Sequence, residues 1–600
     1  MIRVSDYIAN RLVEVGVRHV FTVTGGGSMF LNYAIGTHPK INTIYSHHEQ
    51  ACAIAAEGYA RITNTPGVLN VTTGPGGINA LNGVYGAYTD SIPMLILSGQ
   101  VKRETYIRTY DLPNLRQLGD QEVDIVSMVR GITKYAETVT EPQSIRYQLE
   151  KAWHLSQNGR PGPCWLDIPI DVQSSQIDEL TLAGFSEPED KTDPTKLSIS
   201  VAETLNHLTN AERPVILAGT GVRLAGAVDI FNEVIGKVGI PVTTGWTHDL
   251  IASDNPFFCG RPGTIGTRSG NFAVQNSDVL LVIGSRLNIR QTGYAFKSFA
   301  RAAYKIWVDV DDAELQRPTV QPDFPIVADA KAFLQEMDRQ LDESKWDREK
   351  FSGWLSWCKE RQTRYPAVLP KHREFNGNIN PYHFMETLFD QLEEYDTVVA
   401  GNATACIVSF QVGKLKLGQR LFSNSGSASM GYDLPAAIGA AVAREGRRVI
   451  CLAGDGSLQM NIQELQTVKH LNLPIKLFVL NNNGYLSIRN SQKGFFGTTF
   501  GESPASGVTF PIFMDLAKAH GLSFVKLDME DFASTLREVL DMPGPVLCEV
   551  MLDPDQGFEP RQSSRQLSDG RIVSAPLEDM FPFLEREEMM ENLLIPPWEE

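Results

Sequence analysis

Cys451-Leu452-Ala453-Gly454-Asp455-Gly456-Ser457, followed later in the chain by Asn481-Asn482-Asn483-Gly484, is the stretch whose reading decides the fold. The apolar run 449–452 reads as a buried parallel strand, and a glycine-bracketed acid turning off its carboxyl end marks the edge at which open α/β sheets bind ligands. Gly454 and Gly456 let the backbone approach phosphate oxygens, and Asp455 supplies one hard oxygen. A second strand over 475–480 delivers the Asn482 amide oxygen and the carbonyl at Gly484. These few protein oxygens leave positions for phosphate oxygens and water, which suits an octahedral magnesium ion.

The rest of the chain sets bounds on that site. At 600 residues it is too long for one core and is expected to form three or four domains. A hydrophobic content of 42% with 21% charged residues is that of a soluble globular protein. The net charge of -17 argues against a nucleic-acid partner, because no excess of Lys and Arg is available to displace counterions. The amino terminus enters an amphipathic pattern without an apolar signal core, and no run approaches a membrane span, so a cytoplasmic protein is expected. Cysteines 52, 164, 259, 358, 406, 451 and 548 are scattered in mostly apolar runs without metal-ligand spacing, which reads as buried free thiols.

Short β-rich apolar runs alternate with helical patterns, so the expected class is α/β with parallel sheets. The blocks expected are 1–175, 195–340 and 375–555, with a polar linker over 186–194 and a charged, Trp-containing helix around 344–364. The remaining 556–600, acidic and rich in Pro and Met, reads as an arm packed on the body, over the active site.

In the first block His47-His48-Glu49-Gln50 follows an apolar run and opens a helix over 51–61. By itself Glu49 would be read as a helix cap or a solvated charge, since acids favour helix N-termini. The run from Gly16-Val17-Arg18-His19-Val20-Phe21 through Gly74-Pro75-Gly76-Gly77 to Asp90-Ser91-Ile92-Pro93, however, resembles the pyrimidine-binding domain of the acetohydroxyacid synthase and pyruvate oxidase family. The glycine–aspartate turn with its distal asparagines likewise looks like the signature of thiamine diphosphate enzymes.

The resemblance implies three doubly wound, Rossmann-like parallel-sheet domains plus a carboxyl-terminal arm. It makes Glu49 the carboxyl group that hydrogen-bonds the cofactor aminopyrimidine and drives it to the imino tautomer, from which the thiazolium C2 proton is removed. In Gly426-Ser427-Ala428-Ser429-Met430-Gly431-Tyr432 it makes Met430 the wedge under the bent cofactor and Ala428 the carbonyl facing its amino group. Without that likeness Met430 would read as core filler. Gly401-Asn402-Ala403-Thr404 corresponds to the loop whose amides hold the diphosphate, and Ser457 and Ile488 border the same site. The family also pairs the first block of one subunit with the third block of another, which implies a homodimer or homotetramer.

Departures narrow the expected reaction. Aldehyde-releasing decarboxylases place proton donors where this chain has Gly27, beside Gly26 in the first glycine turn, and Ile488. Their absence favours attack on a second carbonyl, as in the synthases. Gln121 aligns with a synthase active-site Gln, although Asp120 stands where Phe is usual. Ser491 stands where acetohydroxyacid synthases carry a Trp that selects a small 2-oxo acid, so a larger or more polar acceptor is implied. Arg290 aligns with an acceptor-binding Arg, its alternative being a surface ion pair. The tail 561–580 resembles carboligases of branched-chain sugar biosynthesis (yersiniose-type), which move an acetyl unit from pyruvate to a nucleotide-linked keto sugar. Its arginines would meet a diphosphate or else balance an acidic tail.

In the middle block Gly219-Thr220-Gly221, Gly263-Thr264, Gly284-Ser285-Arg286 and Asp309 resemble the flavin-adenine-dinucleotide (FAD) segments of the synthases. Relatives also bind an adenine nucleotide there or leave the domain empty, and a flavin would be structural, since carboligation transfers no net electrons. The expectation is a thiamine diphosphate and magnesium carboligase acting on pyruvate and a carbonyl acceptor. The alternatives are a pyruvate oxidase and a catalytically silent interaction protein.

Overall fold

The computed structural model describes all residues except 113, 189–192, 246–248, 567–569 and 599–600. Three parallel sheets with helices on both faces make up the body. The first runs in the spatial order Asn42–Tyr45, His19–Thr22, Gly67–Val71, Met94–Gln100, Pro163–Pro169, Tyr135–Thr138. The third runs Arg420–Phe422, Thr397–Ala400, Val449–Gly454, Ile475–Asn481, Val546–Met551, Ser523–Leu527. Numbered within each domain, these two orders are identical. Between them lies a five-stranded sheet, Val242–Thr244, Pro214–Ala218, Val279–Ile283, Tyr304–Asp309, Phe324–Val327.

Why these segments are strands is visible in their burial. Gly67–Val71, Met94–Gln100, Pro163–Pro169, Pro214–Ala218 and Val279–Ile283 are buried at every position. That is the pattern of parallel strands covered on both faces by helices. The first domain is closed by its own termini, with Ile2–Arg3 antiparallel to Gln176–Ile177.

The first and third domains meet through equivalent helices. Glu49–Thr63 and Asp433–Ala443 each follow the second strand in chain order of their sheet, and they pack against each other. Small residues permit the approach: a Cβ on Gly58 would lie 2.5 Å from the Ala436 carbonyl oxygen, and one on Gly439 would lie 1.8 Å from that of Ala55. The helix Ser352–Arg364 lies on the middle domain, where Trp354 Nε1 donates to the Pro214 carbonyl at 3.0 Å.

The arm also settles on the middle domain. Leu577 and Met580 are buried, Gln562 N donates to the Thr264 carbonyl, and Glu578 accepts from Gln275 and pairs with Arg301. These contacts are with loops and a helix of the middle domain rather than with Glu49 or Asp455. Arg561 stacks over Phe581, and the Arg565 side chain and part of the linker fall outside the described residues. All seven cysteines are free and buried. Among the described residues no helix is long and apolar enough to cross a membrane.

Candidate functional site

In a parallel sheet the connections leaving the strands gather at one edge. In chain order, the first strands of the two outer sheets lead into Gly25-Gly26-Gly27 and Gly401-Asn402-Ala403-Thr404. The second strands lead to Glu49 and to 423–433, which includes Ala428 and Met430. The third lead to 72–77 and to Asp455-Gly456-Ser457. The fourth lead to the loop holding Gln121 and to Asn482-Asn483-Gly484. Every catalytic, thiamine-site and metal-site residue expected from the sequence therefore lies on one of eight corresponding connections, except Gly454, the last residue of its strand, and Ile488 in the helix that follows.

In the first domain four of these connections close on one another. Gly27 N donates to Thr72 Oγ1 at 3.1 Å, and a Cβ on Gly27 would collide with Thr73. Gly74, at φ 62°, turns against the Gln121 carbonyl, and Gln121 itself is left-handed at φ 64° and exposed. Glu49 opens its helix behind the His48 cap and is 9% exposed. Asn79 Nδ2 donates to Glu49 Oε2 at 3.0 Å, and one helical turn later Asn82 donates to Ser429 Oγ at 2.7 Å. His47 N reaches the buried Glu464 carboxylate of the third domain at 3.0 Å.

The third domain supplies a different chemistry. Asp455 is buried; its Oδ1 accepts from Gly456 N at 2.7 Å and its Oδ2 from Gly484 N at 2.9 Å. Burial pushes its carboxyl up to about 6, against these amide hydrogen bonds. Gly456 must be glycine, because a Cβ would lie 2.1 Å from the Tyr485 ring. Arg489 braces the asparagine turn, donating to the carbonyls of Asn483 at 2.9 Å and Pro554 at 3.0 Å while paired with Glu502.

The Asn482 Oδ1 is buried and has no protein partner. A buried amide oxygen left unmatched is costly, and a cation beside Asp455 would satisfy it. Among the described residues no cluster of three or more His, Cys, Asp or Glu is placed for a metal. The donor set here is one carboxylate with neutral oxygens, which fits a hard cation sharing its shell with phosphate.

Asn402 Oδ1 and Thr404 Oγ1 are likewise buried without a partner. Ala403 and Ala428 both hold φ 50°, a region that costs a residue with a Cβ about 1–3 kcal/mol and that clusters at ligand sites. The Ala428 carbonyl accepts from Asn402 Nδ2, which leaves it one lone pair for a further donor. Met430 is half-buried in the same loop.

Ile488 is 47% exposed on the helix Leu486–Phe496, and Ser491 on the same helix is exposed with its hydroxyl turned back to the Ser487 carbonyl. Arg290 is exposed on the short helix Ile289–Thr292 and forms no ion pair among the described residues.

A cavity of about 1140 Å³ lies where the middle domain meets the other two, and neither Glu49 nor Asp455 lines it. Gly219, Thr220, Gly221, Gly284, Arg286 and Asp309 line it; Gly263 and Thr264 do not. That pair is held by Asn271 and by Gln562 of the arm, so its glycine serves a tight turn against the Arg290 carbonyl rather than the cavity wall. Arg286 stands 3.8 Å from Asp90, beyond hydrogen-bonding distance, whereas Arg160 is neutralised by Asp311 and Glu314. Burial pushes the Asp309 carboxyl up to about 6.

A buried chain of polar contacts escaped the sequence reading. Tyr432 donates to Glu57 at 2.8 Å, Arg61 bridges Glu57 and Asp90 at 2.7 Å each, and Asp90 accepts from Gly426 N at 2.9 Å. The i,i+4 spacing of Glu57 and Arg61 was the available signal.

Residues 2–128 match the thiamine pyrophosphate enzyme N-terminal TPP binding domain, 201–337 its central domain and 401–550 its C-terminal TPP binding domain. The chain is 32% identical to a probable chloroplastic acetolactate synthase 2 of Oryza sativa subsp. japonica, over 91% of this chain and 82% of the relative. It is 30% identical to the acetolactate synthase large subunit of Lactococcus lactis subsp. lactis, over 93% of both chains. It is 31% identical to that of Porphyra purpurea, over 92% of both.

Proposed function

The chain belongs to the thiamine pyrophosphate enzymes and is acetolactate synthase-like, and from that premise we propose that it decarboxylates pyruvate or a similar 2-oxo acid and joins the acyl unit to a ketone or aldehyde larger than pyruvate. The observation that carries the reading is the set of connections at the sheet edges, with Glu49 held on one sheet and Asp455 and the orphaned Asn482 oxygen on the other.

Bound thiamine diphosphate would supply the carbon nucleophile and electron sink. The chain's part is to bind and orient it. Asp455, Asn482 and the Gly484 carbonyl would hold magnesium, and the strained 401–404 loop would present amides to the diphosphate. Glu49, oriented by Asn79, would exchange a proton with the aminopyrimidine. Exposed Ser491, with no bulky side chain of its own, leaves room beside Ile488 for a polar acceptor such as a nucleotide-linked keto sugar.

FAD or an adenine nucleotide would occupy the middle cavity, with Arg286 meeting a phosphate and Asp309 a ribose hydroxyl. A homodimer or homotetramer in the cytoplasm completes the proposal. The test is incubation of the enzyme with thiamine diphosphate, magnesium, pyruvate and a panel of ketones, with products identified by mass spectrometry. A new adduct of a large ketone is expected. Acetolactate alone in the presence of every ketone would overturn the acceptor reading, and decarboxylation with flavin reduction and no adduct would favour an oxidase.

A further inference from the structure

We propose that Asp433 is a positioning residue of the cofactor site, its carboxylate tying the Met430 loop to the Asp455 turn through the Ser457 hydroxyl and so setting how tightly thiamine diphosphate is held. The proposal rests on the reading of these connections as the diphosphate half of the site.

Asp433 is fully buried at the first position of the helix Asp433–Ala443. Glu49 holds the first position of the matching helix, Glu49–Thr63, so the two carboxylates occupy the same place in the two outer domains. Each is engaged by a side chain that follows the third strand of its own sheet: Asn79 donates to Glu49, and Ser457 Oγ donates to Asp433 Oδ2 at 2.5 Å. The first domain uses this arrangement to aim a carboxyl group. The third uses it as a fastening.

Three connections converge on Asp433. Ser457, directly after Gly456, is both donor to Asp433 and acceptor from Gly431 N at 2.9 Å. Asp433 Oδ1 accepts from Leu434 N at 2.9 Å, which fixes the carboxylate plane. A Cβ on Gly401 would lie 2.4 Å from Asp433 Oδ2, so the carboxylate rests against the backbone of the 401–404 loop. Because Ser457 gives its proton to the carboxylate, its lone pair is left facing the Gly431 amide next to Met430. Without the carboxylate the hydroxyl is free to rotate, and the buried Gly431 N–H loses its acceptor. A cap for the helix alone would need only the Leu434 contact.

The experiment is calorimetric titration of thiamine diphosphate into the full chain in magnesium, using the parent, Asp433→Ala, Asp433→Asn, Ser457→Ala and the Asp433→Ala/Ser457→Ala double variant. Loss of one charge-assisted hydrogen bond is expected to weaken the cofactor about tenfold in Asp433→Ala and in Ser457→Ala. The double variant should be no weaker than either single one, because both remove the same link. Asp433→Asn, which still offers an oxygen to Ser457, should stay within about twofold of the parent. The apparent KM for cofactor should rise more than kcat falls, and thermal unfolding of the cofactor-free proteins should show each variant folded.

If Asp433→Ala does not fold, Ser457→Ala and Asp433→Asn decide the matter, the first weak and the second near the parent. Parent-like affinity in Asp433→Ala or Ser457→Ala, additive losses in the double variant, or an Asp433→Asn as weak as Asp433→Ala would overturn the positioning role. A parent that binds no thiamine diphosphate would instead overturn the reading of the site itself, and this proposal with it.

Discussion

The first and third domains share one strand order and differ in what their connections carry. At the end of the third strand the first domain has Thr72-Thr73-Gly74, while the third domain has Asp455-Gly456-Ser457. After the second strand one places Glu49 at the head of a helix and the other inserts a strained loop with Met430 before the helix begins. A sheet edge fixes where groups converge, and the loops decide whether they handle protons or phosphates.

That division of labour is broken most severely at Glu49. Glu49→Gln keeps the Asn79 contact but cannot exchange a proton, so turnover should fall about 10²–10⁴-fold while cofactor affinity stays near that of the parent. Cofactor C2–H exchange followed by NMR measures the first and titration the second. Unchanged exchange would remove Glu49 from the mechanism.

The contact between the two domains can be broken directly. Arg61→Ala strands the buried carboxylates of Glu57 and Asp90, so unfolding free energy in urea should fall by about 3–5 kcal/mol. A loss below about 1 kcal/mol would show that the helices hold together by the Gly58 and Gly439 packing alone.

On the phosphate side, Asp455→Ala should weaken magnesium and cofactor together by about 10–100-fold or more, the loss that outer partners of metal sites already cause. Equal cofactor affinity in mutant and parent would sink the metal assignment. Mixing this variant with Glu49→Gln also asks which chain supplies each half. If the halves come from different subunits, random exchange at equal amounts restores about a quarter of the sites. If both come from one chain, nothing is restored.

How much of this was legible follows from what each signal requires. Glycines and acids at the ends of apolar runs mark connections locally, and Asp455, Asn482 and the three parallel-sheet blocks are read that way, whereas Glu49 alone reads as a helix cap and takes its role from the family resemblance. The duplication was not legible, because the outer domains share strand order rather than motif. Asn79, Asp433, Glu464 and Arg489 act through partners that only folding brings near. Gly263 and Thr264 show the reverse error: a glycine turn looks alike from either side, and only the arm's contact with Thr264 reveals which side is covered.

The matching strands Pro163–Pro169 and Val546–Met551 extend the comparison to pH. Asp167 is fully buried, accepts from Ser98 at 2.6 Å and Gln100 at 3.0 Å, and is pushed up to about 7 by burial, whereas Glu549 on the matching strand is half-buried and accepts from Asn481. An unfolded Asp ionises near pH 4, so between about pH 4 and 7 the native state retains a proton that the unfolded state has lost. Stability from this group is full below that window and is lost as pH rises through it. Asp167→Asn should therefore raise stability at pH 8 by on the order of 2 kcal/mol, with the gain shrinking toward pH 4. Thermal unfolding against pH decides it, and a gain equal at both ends would show that the charge is not the cause.

The smallest expected effect is at the proposed acceptor wall, where the two domains part company. After its fourth strand the first domain runs through a loop with Gln121, while the third builds the helix Leu486–Phe496 that exposes Ile488 and Ser491. Ser491→Trp places an indole on this exposed face, where the present hydroxyl bonds only its own helix. It should shift the product ratio from large ketone adducts toward acetolactate by roughly threefold to tenfold, the range in which steric discrimination in a pocket operates. Pyruvate consumption should continue, because the change touches only the second carbonyl. Product ratios by mass spectrometry at equal pyruvate turnover provide the measurement. An unchanged ratio would show that this helix does not form the acceptor wall, leaving Gln121 and the first domain to set acceptor choice.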